Sequence, residues 1–149
     1  MAYATPAQLA TRYGHDRLVE ITDRDANGVA DDPMIAQALA DALADAEAEI
    51  DGYLAARYRL PLPTVPPLLA RIACDIAVYR LLSLRRMGDI EDARVRYEDA
   101  RRLLEALAKG LVALGLPADL PQDQRPAPSL AAARSGADPL FDRSGTGGY

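Results

Sequence analysis

Asp23-Arg24-Asp25-Ala26-Asn27-Gly28 sets oxygen-bearing side chains at alternate positions and closes them with a glycine. This is the first half of a calcium-binding loop. Asp23, Asp25 and Asn27 stand at positions one, three and five, and Gly28 supplies the sharp turn at six. The twelfth position, where such a loop needs a bidentate glutamate, is Met34. The oxygens that remain make a weak cation site at best, with Asp23, Asp25 and Asn27 as the candidate metal ligands. The same residues also suit an Asp/Asn/Gly turn whose side chains bond to their own backbone. The missing ligand favours the turn.

Other residue types capable of chemistry are sparse. The chain has one histidine, His15, and one cysteine, Cys74, too few for a metal cluster. A single cysteine also excludes an intrachain disulfide, and a reducing, cytoplasmic setting is the simplest expectation. His15 reads as a surface or capping residue and Cys74 as a core residue. Asp41, Asp45, Glu47, Glu49 and Asp51 are spread over several turns of one helical pattern with no histidine among them. They read as a solvated face rather than an acid/base pair. Gly145, Gly147 and Gly148 end the chain and open no helix, so they form no phosphate loop, and no nucleophile elbow is present. No cofactor is implied, and the expectation is a protein that is not an enzyme.

The elements that would position any site are helical. Thr5-Pro6 opens a short helix with Gln8 placed for a capping box, and Gly14 ends it. His15 to Ile21 forms a second short piece. Asp32-Pro33 starts a long helix with a stripe of Ile35, Leu39, Leu43, Ala46, Ile50, Tyr53 and Leu54, ending near Arg57 or Tyr58. Pro61, Pro63, Pro66 and Pro67 then make a stiff extended crossing, on which Leu60 and Leu62 can lie against a neighbour. From Leu68, apolar residues recur round most of a helix's circumference, which marks a central helix. It is expected to stop near Arg85, Arg86 and Met87, before Gly88. Asp89 caps the last long helix, whose seam is Ile90, Ala93, Tyr97, Ala100, Leu104, Leu107 and Leu111. Arginines 94, 96, 101 and 102 stand three or four residues from carboxylates and read as pairing within that helix. The fold class is all-α: a small bundle of two short N-terminal and three long helices, in a domain of residues 1–115.

Half of the 149 residues are apolar but only 5% are aromatic, so the core must be aliphatic and closely packed. No stretch is long and apolar enough to span a bilayer, and no secretory signal is read at the N-terminus. Charge is divided. Residues 1–56 carry eleven Asp/Glu against three Arg, whereas 57–109 carry ten Arg and one Lys against seven Asp/Glu. Such a subunit can stack acidic face on basic face in a ring. Two solvated faces of unequal sign are the blander reading, and the favoured one on charge alone. Beyond Leu116, Pro117, Pro121, Pro126, Pro128 and Pro139 break any regular element. Residues 116–149 therefore read as an extended arm, with Leu130, Leu140, Phe141 and Tyr149 spaced along it as hooks for a partner.

Three stretches together carry a resemblance: AYATPAQLATRYGHDRLVEITDRDANGVADD, IAQALADALADAEAEIDGYLAARYRLPL and VPPLLARIACDIAVYRLL. In this order, over about residues 3–110, they resemble the Mu-like phage and prophage proteins catalogued as a domain of unknown function. Those proteins look like head–tail connector (adaptor) proteins of tailed phages. The resemblance implies a structural virion protein. Copies would form a homo-oligomeric ring beneath the portal protein, twelve by analogy, with packaged DNA passing through a mainly acidic or neutral lumen. It would sit in the virion neck, after assembly in the host cytoplasm. The C-terminal segment, with Leu130, Leu140, Phe141 and Tyr149, would reach the portal or an adjacent subunit. The loop of Arg59, Leu60, Leu62, Pro63 and Val65 would face another neck or tail protein. The competing reading is a small helical protein-interaction module without a virion role.

Overall fold

Helix α1, Pro6–Tyr13, begins with a reciprocal cap. Thr5 Oγ1 accepts from the Gln8 N–H at 3.2 Å, and Gln8 Oε1 accepts from the Thr5 N–H at 2.9 Å. The pair satisfies donors that every helix start leaves over. Gly14, at φ 86°, ends α1 and begins α2, His15–Thr22. A side chain at that φ would be strained, so a glycine is what lets two short helices abut.

Three longer helices follow: α3 Pro33–Leu54, α4 Pro67–Ser83 and α5 Glu91–Ala108. The computed structural model describes residues 2–23, 33–84 and 90–116, and no strand occurs among them. The fold is a small all-α bundle. Arg85, Arg86, Met87, Gly88 and Asp89, expected to end α4 and cap α5, lie outside the described residues.

Helix α4 is the centre. Ten of its seventeen residues are buried, and Ile72 to Val78 form an unbroken buried run of nearly two turns. Burial on every face needs cover on every face, and α1, α2, α3 and α5 all pack against it. From α3 come Leu43, Ala46, Ile50 and Leu54; from α5 come Ala93, Ala100, Leu104 and Leu107. Both long neighbours run antiparallel to α4. The start of α3 lies beside the end of α4, around Ile35 and Leu81, and Tyr79 stacks on Tyr97 with ring centres 4.5 Å apart. The expected seam of α5 holds except at its end. The helix stops at Ala108, the chain turns through Gly110 at φ 75°, and Leu111 is 78% exposed.

The proline crossing lies on its own subunit. Tyr58 and Leu62 are buried, and Leu60 and Val65 pack half-buried on the core. The Leu60–Pro61 peptide is cis. Alternation in the sequence marks Leu62 as an inward-facing residue but cannot say inward to what. Leu62→Ala should therefore behave as a core truncation and lower unfolding stability by about 2–5 kcal/mol in urea titrations. A surface leucine kept for a partner would lose well under 1 kcal/mol, about the limit for exposed positions.

Candidate functional site

The sequence candidates that fall within the described residues each have a definite place. Asp23 is buried at the end of α2, where its N–H donates to the Val19 carbonyl at 2.7 Å. Asp25, Asn27 and Gly28 lie outside the described residues. No group of three or more His, Cys, Asp or Glu suited to a metal occurs among the described residues. His15 is exposed at the start of α2, and Cys74 is buried in α4, where burial pushes its thiol pKa up against a smaller lowering by Arg12.

The structure divides the loop that was expected to meet a partner. Leu62 belongs to the core, and Leu60 and Val65 lean on it. Arg59 and Pro63 are the exposed members. With Leu60, Pro61, Leu62 and Leu116 they line a hollow of 260 Å³. Leu116 is brought there because the chain after α5 turns back, and the Leu114 N–H donates to the Tyr58 hydroxyl at 3.1 Å. Leu130, Leu140, Phe141 and Tyr149 lie outside the described residues.

The carboxylates of α3 depart from a uniformly solvated face. Glu49 keeps only 14% of its side-chain exposure. It pairs with Arg80 at 2.7 Å and accepts from the Tyr97 hydroxyl at 3.0 Å, joining α3 to both α4 and α5. Asp51 accepts from the Tyr3 hydroxyl. Sequence reading missed a third tie of this kind: Asp75, in the buried run of α4, accepts from the Tyr13 hydroxyl. The signal was a lone carboxylate within an otherwise apolar helix, which must find a donor when buried. Asp41 and Asp45 do remain on the exposed side of α3.

These are structural bonds. Burial first, then the hydrogen bond and the charge of the paired carboxylate, push the phenols of Tyr3 and Tyr13 well above the ordinary tyrosine range. The same causes raise Tyr97 less far. The unfolded chain therefore releases phenolic protons first as pH rises, so stability falls with pH in that range. The contribution is whole below about pH 10 and fades above it. Urea midpoints between about pH 8 and pH 11.5 should drop more steeply for the wild type than for Tyr3→Phe, Tyr13→Phe. Equal slopes would show that these phenols do not titrate against folding.

The arrangement has no nucleophile–base pair and offers surfaces rather than a reacting centre among the described residues. Comparison with known proteins places it. A family model described as bacteriophage Mu, Gp36 matches residues 3–132. The similarity thus runs past residue 110, where the sequence resemblance was drawn to end, into the proline-rich segment. Gene product J of Escherichia phage Mu is 42% identical over 111 residues, 74% of each chain. The Mu-like prophage FluMu protein gp36 of Haemophilus influenzae is 49% identical over 79 residues, 53% of this chain and 54% of that one. With most of its length inside one family model, the chain belongs to the bacteriophage Mu Gp36 family.

Proposed function

We propose that this Mu-like phage protein is a head–tail connector, a non-catalytic adaptor whose copies ring the DNA path beneath the portal in the virion neck. The observation that carries the reading is the match to the Mu family over residues 3–132, on a chain whose described part is a tied helical bundle. Such a bundle suits a part that transmits position. Its central helix is covered all round from Ile72 to Val78 and cannot shift without exposing apolar surface. Its tyrosine–carboxylate bonds fix the N-terminal segment and α1 on the long helices. In this reading the residues beyond 116 form the arm toward the portal or an adjacent subunit, with Leu130, Leu140, Phe141 and Tyr149 as its anchors. The exposed tip of the proline crossing, Arg59 and Pro63, meets the next neck protein.

Electron microscopy of the full chain mixed with its portal should reveal a coaxial ring on the portal's tail-facing side. A chain ending before Leu130 should keep its helicity and lose the ring. Portals that stay bare with the full chain would sink the connector reading.

The crossing is tested by Arg59→Glu, Pro63→Asp, which changes exposed residues and leaves Leu62 and Val65 in place. Rings should still form while particles fail to join tails, scored by infectivity and by tail counts in micrographs. Normal tail joining would remove the crossing from the interface.

A further inference from the structure

Helix α4 presents two unlike hollows. Arg71 and Arg80 are nine residues apart on it, two and a half turns, so their side chains leave on opposite faces. On the Arg71 face, Arg12 of α1, Arg71 of α4 and Arg96 of α5 line a hollow of 360 Å³ with Tyr13, Asp75 and Asp99. The two carboxylates there are engaged: Asp75 accepts from Tyr13, and Asp99 pairs with Arg102 at 3.2 Å. Arg80, Arg94, Arg101, Arg102 and Lys109 each have a carboxylate partner. Arg12, Arg71 and Arg96 form no ion pair among the described residues. Arg96 lies over the Tyr13 ring, 5.7 Å from its centre, which steadies the guanidinium without neutralising it.

The Arg80 face is of the opposite kind. Asp41, Asp45, Met34 and Leu84 border a hollow of 260 Å³ there. Asp45 shares Arg80 with Glu49, at 3.8 Å, yet keeps 67% of its side-chain exposure; Asp41 accepts from the Gln37 side-chain amide at 2.7 Å; and Met34 and Leu84 are 60% and 71% exposed. These are large apolar side chains at the rim of an acidic edge. The basic hollow has a mainly apolar neighbour: Arg12 also borders a hollow in which Tyr3, Val65, Pro67 and Ala70 stand beside Thr5, Gln8 and Thr11.

We propose that these two faces are the two sides of one contact between copies of this chain. The arginine hollow of one copy receives the Asp41–Asp45 edge of the next, and Met34 and Leu84 enter the apolar hollow beside it. The contact is head-to-tail, so repetition closes a ring or grows a filament. It rests on the connector reading above and supplies the subunit-to-subunit surface that a ring requires. Phosphates are the poorer occupant. Three arginines against two aspartates leave the hollow a single net positive charge, and the whole chain carries −5, which repels a polyanion.

Sedimentation velocity of the full chain across a concentration series tests this. The wild type should self-associate. Arg71→Glu, Arg96→Glu and, separately, Asp41→Lys, Asp45→Lys should each weaken association by at least about tenfold, because each juxtaposes like charges. Mixing the two variants should restore it, since the reversed hollow of one then faces the reversed edge of the other. Arg71→Ala, at an exposed unpaired position, replaces the first variant if that loses helicity, and should again weaken association. A wild type monomeric at every concentration, variants that associate unchanged, or a mixture that fails to recover overturns the contact. So does retention of a short DNA duplex by a monomeric wild type and its loss in Arg71→Glu, Arg96→Glu. The ring on the portal is scored separately by microscopy. Rings built from the reversed variants would remove this contact and leave the connector reading intact, whereas self-association with bare portals would do the reverse.

Discussion

Burial of α4 on every side is the constraint from which the rest of the bundle follows. A helix with seven consecutive buried residues has no solvent face over that stretch, so its neighbours must arrive from all directions. Two long antiparallel helices cover part of the cylinder. The remainder falls to the short helices α1 and α2 and to the proline crossing, which explains why the N-terminal helices are docked at all. At eight residues each, α1 and α2 are too short to persist alone in water and owe their order to this packing. The same constraint makes the crossing structural: an extended segment with Leu62 directed inward closes a gap that another helix would otherwise have to fill.

An aliphatic core of Leu, Ile and Ala is generous about register, since neighbouring rungs look alike. The polar bonds are not. Tyr3 to Asp51, Tyr13 to Asp75 and Tyr97 to Glu49 each join residues of different elements, and Arg80 adds a second donor to Glu49. Slipping α1 or α5 by one turn would leave a carboxylate without its phenol, at a cost greater than that of exchanging one leucine contact for another. In a chain with only 5% aromatic residues, placing tyrosines at these joints makes them the features that single out one arrangement.

The sequence made the helices legible where local chemistry decides them. The Thr5–Gln8 box, Gly14 as a joint, Pro33 and Pro67 at first turns, and the all-round apolar pattern of α4 each act within a few residues of chain. What stayed hidden depends on which remote groups meet. Glu49 and Asp51 resemble Asp41 and Asp45 by spacing, yet Arg80, Tyr97 and Tyr3 draw the first two into the packing, whereas Asp41 stays exposed and Asp45 meets Arg80 only at 3.8 Å from an exposed position. Leu111 continues the seam by count, but positive φ at Gly110 turns the chain away first. Arg59 and Leu62 were equivalent as candidate contacts, and only the packing of the crossing separates an exposed cation from a core leucine. The arm's anchors and most of the Asp23–Gly28 stretch lie outside the described residues, so for them the sequence remains the whole argument.

Pairing inside the subunit also decides what is left for the outside. Most arginines of α5 find carboxylates three or four residues away, and such exposed pairs contribute little beyond neutralising the surface. Their effect is subtraction. Once Arg94, Arg101, Arg102 and Arg80 are matched, Arg71 and Arg96 are left to meet Arg12 where α1, α4 and α5 converge. Asp41 and Asp45 of the first half stand on the far side of α4, beside Arg80. A bundle whose internal bonds consume its charges unevenly becomes polar across its own thickness, the more so because α3 carries five carboxylates and no cation. On the proposed reading this asymmetry, set by the same central helix that fixes the fold, gives each subunit a front and a back.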